Sequence, residues 1–229
     1  MNNVNISNWY NSLRNEFKRN SLNIEKVSRR SEYWRKSNLD IISDFVDDIS
    51  QIDLNTISGT CLFEPNLTVH GDILELADKK SYEVLSILDV IADEASFVKD
   101  YFGRLEKKSQ RLVPRPLARE NTLSPKVGYV FSFSDNLKKP LVIHNKTNPS
   151  ASGCFQRNLF VLKENVEATI IETGNNLSVF NNVTEIYLGK NAKLNYLDLT
   201  GEDNIFPKIS HKFCDLAEYS SFNHFGLRL

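Results

Sequence analysis

The last third of the chain reads the same pattern three times. Segments 160–170, 186–196 and 214–224 each alternate apolar and polar residues, break at a polar turn, and alternate again. Val166, Ala192 and Ser220 open the second strand of each unit, 26 and then 28 residues apart. A fixed period of this size marks a solenoid, because one such unit buries its apolar face only by stacking on its neighbours. The repeat therefore constrains the fold more than any other feature of the sequence.

Upstream, the pattern changes character. Residues 1 to about 50 read as helical: Trp9, Leu13 and Phe17 fall near helical spacing, and Tyr33, Trp34, Leu39, Ile42 and Phe45 form a second apolar set. Trp34 reads as an anchor that packs one helix on another. The stretch 60–78 carries short extended pieces separated by turns. Residues 81–108 return to helical spacing, with Val84, Ile87, Leu88 and Ile91 as a stripe. Pro114 and Pro116 then forbid a continuous helix, which places a boundary there. From Val127 the period is two, carried by Tyr129, Phe131 and Phe133. The expected architecture is α+β, with an N-terminal helical and mixed region over 1–112 and a β-solenoid core over 113–229.

Composition narrows the function. The chain of 229 residues has a formal net charge of −1, so no global field favours nucleic acid or an anionic membrane. No apolar run approaches the ~20 residues that cross a bilayer. The N-terminus lacks the basic head and apolar stretch of a signal peptide, and three separated cysteines (Cys61, Cys154 and Cys214) fit a reducing compartment. The expectation is a cytoplasmic protein without nucleic-acid or membrane partners. Phosphate-binding glycine loops, zinc-protease motifs and nucleophile elbows do not occur, so no catalytic constellation supports an enzyme.

One pair of residues stands out. Repeat alignment sets Cys214 against Ile186 and Phe160, and His224 against Tyr196 and Ile170, on the interior side of the coil. A thiolate beside an imidazole suits zinc or an iron–sulfur cluster. A small buried cysteine and a hydrogen-bonded histidine account for the same pattern, and two ligands do not complete a site. The basic stretch of Arg104, Lys107, Lys108, Arg111, Arg115 and Arg119 reads as a solvated helix end or as a seat for an anion or acidic partner.

Five segments in order resemble the SufB/SufD scaffold family of iron–sulfur cluster assembly. Segment 29–39, with Glu32, Trp34, Ser37 and Leu39, resembles the N-terminal signature of SufD. Lys139 to Ile143 resembles the strand that opens the core, and 159–172, 183–196 and 215–222 resemble successive coils. The resemblance implies a right-handed parallel β-helix core, a SufB-like partner subunit, a SufC-like ABC ATPase and a non-catalytic role. It also implies a nascent iron–sulfur cluster as transient cargo and flavin as a cofactor at the level of the complex. Family members continue for further coils and end in a segment that docks on SufC. The resemblance thus implies a C-terminally shortened stack, either a fragment or a relative that has lost the docking end, with poor solubility or self-association as the expected consequence. Two other classes stay open: a β-helix carbohydrate-active enzyme, which needs carboxylates ~5–9.5 Å apart, and a ligand-free structural solenoid.

Overall fold

The structure, a computed structural model, describes residues 6–20, 81–110, 115–146, 154–175, 180–200 and 208–228. The 29–39 signature, the helical set from Tyr33 to Phe45, the extended pieces of 60–78, Cys61, His70, Arg111 and Pro114 lie outside the described residues. The described chain is mixed α+β, with helices towards the N-terminus and largely parallel sheets after them.

The elements in chain order are α1 (Asn8–Asn20), β1 (Tyr82–Ser86), α2 (Ile87–Ala92), a 3-10 turn (Phe97–Asp100), α3 (Arg104–Gln110) and α4 (Pro116–Leu123). Eight strands follow: β2 (Tyr129–Phe133), β3 (Leu141–Lys146), β4 (Cys154–Leu162), β5 (Glu167–Asn175), β6 (Phe180–Leu188), β7 (Lys193–Thr200), β8 (Lys208–Leu216) and β9 (Ser221–Arg228). From β2 onward successive strands alternate between two sheets, ordered β1-β2-β4-β6-β8 and β3-β5-β7-β9. From β2 onward every strand pairs in parallel with the strand two places later.

The register is the one the repeat spacing predicts. Phe160 faces Ile186, which faces Cys214, and Ile170 faces Tyr196, which faces His224. Each unit turns through a residue in the left-handed region: Asn165 at φ 62°, Asn191 at 59° and Tyr219 at 58°. Asparagine tolerates this conformation better than most residues. The turns stack on one another: Asn165 N–H donates to Lys190 C=O at 2.8 Å, and Asn191 N–H to Glu218 C=O at 3.0 Å. Val166 and Ala192 follow directly after the turns and are buried.

Two apolar layers result. One lies between the sheets, where Phe131, Phe133 and Phe160 stack beside Ile143, Ile170, Ile186, Leu194 and Tyr196. The other lies on the outer face of the five-stranded sheet, where Val130, Leu159 and Tyr187 meet Tyr10, Ile87, Ile91, Val98 and Phe102 of the helical layer.

Two expectations are corrected. Residues 82–86 form a strand, not the start of a helix: β1 runs antiparallel to β2, and Tyr82 stacks on Phe133. The alternation of this segment fits both periods, and the free edge of β2 decides between them. The second region also holds a helix, α4, opened by Pro116 at its first turn, where the missing N–H has no consequence.

Candidate functional site

The five-stranded sheet carries a buried ionic cluster under its helical layer. Arg157 of β4 and Glu185 of β6 lie on the outward parity of their strands, beneath α3. The Arg157 guanidinium donates to Glu185 Oε2 at 2.8 Å, to Glu106 Oε2 at 2.9 Å and to Thr122 Oγ1 at 2.7 Å. Its Cζ lies over the Phe102 ring, 4.8 Å from the ring centroid. Glu185 in turn accepts backbone N–H bonds from Gly103 at 2.7 Å, Leu105 at 2.9 Å and Glu106 at 3.2 Å. One carboxylate so satisfies the orphan donors at the start of α3 and complements the helix dipole. Burial raises the Glu106 carboxyl above its usual range, against the lowering effect of Arg157 and the Thr122 hydroxyl. Burial would lower the Arg157 guanidinium, but Glu185 and Glu106 outweigh it and hold it charged.

A second polar strip runs between the two sheets. Along each strand the interior residues change from apolar to polar: Phe160 and Leu162 share their face with Gln156 and Asn158, and Ile186 and Leu188 with Asn182 and Thr184. Glu172 of β5, 1% exposed, is the hub. It accepts from Asn145 Nδ2 at 2.7 Å, Asn182 Nδ2 at 2.9 Å, Tyr196 Oη at 2.5 Å and Lys208 Nζ at 3.3 Å. Gln156 joins through Asn145 at 3.0 Å. Lys208 and Lys212 both donate to Asp198, at 2.9 and 3.0 Å. Burial would raise the Asp198 carboxyl, but these two lysines pull it down to about 2. Burial and Glu172 push the Tyr196 phenol well up, so it stays a donor.

Cys214 and His224 lie on the interior parity of β8 and β9, as the repeat predicts. They open onto different grooves. Cys214 lines one with His211, Lys108 and Arg115, while His224 lines another with Asp198, Lys208 and Lys212. Burial, and then Asp215, push the Cys214 thiol up to about 12, so the residue is a neutral thiol at ordinary pH. Burial, and then Lys212, lower the His224 imidazole, whose ring packs on Phe222 and Tyr196 at 6.1 and 5.9 Å. Among the described residues no group of three or more His, Cys, Asp or Glu side chains could hold a metal ion. Glu172, Glu185 and Glu218 also stay apart in role: one is interior, one lies under α3, and one pairs with Lys190 at a turn.

Flavin finds no fit among these residues. The aromatic pair in a groove of about 720 Å³, Tyr101 and Tyr187, is closed on itself with ring centroids 4.8 Å apart and the Tyr187 hydroxyl on the Tyr101 carbonyl. No described helix is long and apolar enough to cross a membrane.

The ionic cluster and the Glu172 strip were not singled out from the sequence. A signal for the strip was present: carried four residues upstream, the repeat alignment sets Gln156, Asn182 and Ser210 in one interior row. The Arg157 cluster had no such signal, because its partners come from 51 and 28 residues away.

Residues 142–229 match the family described as SUF system FeS cluster assembly, SufBD core domain. The matched segment begins within β3 and takes in every later strand, under half of the chain. The match supports membership of the SUF-system assembly family and a role in iron–sulfur cluster assembly. A search of curated proteins found no match.

Proposed function

We propose that this chain is a SufD-like, non-catalytic scaffold subunit of the SUF machinery, pairing with a SufB-like subunit and a SufC-like ABC ATPase in the cytoplasm. The observation that carries the reading is a coincidence of boundaries: the SufBD core match covers the segment in which consecutive strands alternate between two parallel sheets. That alternation is what the windings of a parallel β-helix produce, and we take 113–229 as that core and 1–112 as a separate N-terminal region whose described helices pack on its outer face. The chemistry of the buried polar residues suits a scaffold. The buried carboxylates are committed to Arg157, Lys208, helix α3 and amide side chains, which fix geometry and leave no free acid–base pair among them.

A nascent iron–sulfur cluster is cargo in this reading. Cys214 and His224 contact it only once a partner completes the ligand set and displaces the Cys214 proton, since a neutral thiol is a poor ligand. Alanine variants of both residues are then expected to lower cluster transfer without loosening subunit pairing. Unchanged transfer in both would remove them from the site.

The test is co-expression of the tagged chain with a SufB-type and a SufC-type protein, followed by affinity capture. Recovery of the SufB-type subunit supports the scaffold reading, and recovery of both supports the full assembly. Capture of neither, from lysates in which SufB and SufC pair with each other, contradicts it.

A further inference from the structure

Two chains of hydrogen bonds end on one oxygen, Glu172 Oε1. In the first, Asn145 Nδ2 donates to that oxygen at 2.7 Å, and Gln156 Nε2 donates to Asn145 Oδ1 at 3.0 Å. In the second, Asn182 Nδ2 donates to it at 2.9 Å, and the Thr184 hydroxyl donates to Asn182 Oδ1 at 3.3 Å. A carboxylate only accepts, so it fixes the direction of every bond in both chains. Each amide turns its N–H side towards Glu172 and its oxygen away.

Traced back from Glu172, each chain ends in an acceptor. Gln156 Oε1 is buried with no hydrogen-bond partner among the described residues. Thr184 Oγ1 gives its proton to Asn182 and keeps a lone pair. A donor stands beside them. Asn158 Oδ1 accepts from the Tyr129 N–H at 3.1 Å, which fixes the amide orientation, and its Nδ2 has no partner among the described residues. Asn158 faces Thr184 across the β4–β6 ladder, and Gln156 lies two residues back on the same interior face of β4. Gln156 and Thr184 are fully buried, and Asn158 is 1% exposed. Unpaired polar atoms at such depth are rare in a folded protein.

We propose that one water molecule is bound inside the coil at this point, accepting from Asn158 Nδ2 and donating to Gln156 Oε1 and Thr184 Oγ1. The three groups select a small neutral molecule with one acceptor and two donors. A cation would meet the Asn158 N–H, and an anion would meet two acceptor oxygens. Space is available: Asn158 and Thr184 are much shorter than Phe160 and Ile186, which face each other in the next layer of the same strands. The water closes the two chains into a ring through Glu172 and extends it to the backbone of β2. Every donor then points towards the carboxylate, an order in which hydrogen bonds polarise one another. One polar layer so ties β2, β3, β4, β5 and β6 together. The site is interior and does not depend on the scaffold reading.

A high-resolution crystal structure of the full chain tests the site directly. One density peak is expected within hydrogen-bond distance, ~2.7–3.2 Å, of all three atoms. Oxygen-17 relaxation dispersion is the counterpart in solution, because it counts waters held inside a protein. Asn158→Leu keeps the shape of the side chain and removes the donor. The folded variant should hold about one long-lived water fewer than the parent chain. If loss of the bond to Tyr129 unfolds the variant, the crystal peak decides alone. No density in this layer, a peak that misses any of the three atoms, or a direct bond from Asn158 Nδ2 to Gln156 or Thr184 would each overturn the proposal. So would an unchanged water count in folded Asn158→Leu.

Discussion

The middle and last units of the repeat share one register and differ in almost everything else. Ile186 and Tyr196 of the middle unit are fully buried, whereas their partners Cys214 and His224 in the last unit are half-buried and exposed. The turns differ in the same sense. Asn191 sits in the left-handed conformation and donates its side-chain amide to Asn165 at 2.9 Å, while Tyr219 holds the same backbone angles with no such ladder and is 77% exposed. Register comes from period and backbone pairing, which every unit has. Burial comes from a neighbour on both sides, which the last unit lacks among the described residues. Equivalent sequence positions therefore have unequal energetic weight.

The largest expected effect contrasts two residues in the same interior row. Phe160→Ala removes a ring stacked on Phe131 at 4.7 Å, and should cost about 3–5 kcal/mol in chemical denaturation. Cys214→Ala, two strands along, should cost below about 1 kcal/mol. Comparable losses would break the contrast. Next is the cluster that fastens the helical layer. Arg157→Ala strands Glu106 and Glu185 in a buried site and should destabilise by about 3–5 kcal/mol. The loss should fall at low pH as Glu106, whose carboxyl burial holds above its usual range, takes up a proton.

A pH effect follows from His211. Burial, then Arg115, Arg157 and Lys212, lower its imidazole to about 4, against an ordinary value near 6.5. The unfolded chain therefore binds the proton first. The contribution of His211 is intact above about pH 6.5 and is lost as pH falls towards 4, at up to about 1.4 kcal/mol per pH unit. His211→Gln should flatten that part of the stability profile, and an unchanged slope would assign it to other groups. The smallest effect tests the turn: Tyr219→Asn should stabilise by about 1 kcal/mol or less, read as a rise in denaturant midpoint, because asparagine suits the left-handed backbone and can extend the ladder.

Much of this was legible in the sequence. Alternation with a constant period placed Val166, Ala192 and Ser220 after equivalent turns, and aligned Cys214 and His224 with their structural partners. Periodicity is local, so it survives without knowledge of the neighbours. The β1 strand was not legible, because its five residues fit helical and extended spacing alike and only the edge of β2 selects one. Nor was the Arg157 cluster, whose members meet only after the helices fold back on the sheet. Gly128 shows the same limit: a Cβ there would lie 1.8 Å from the Arg157 carbonyl oxygen, a contact no local pattern announces.

Amide hydrogen exchange of the free chain, resolved strand by strand, tests the central claim most directly. One register with graded burial predicts the slowest exchange in β4–β7, and exchange at least ~10-fold faster in β8 and β9, which open by local fluctuation. Uniform protection from β4 through β9, or faster exchange in β4–β7 than in the last two strands, would contradict it.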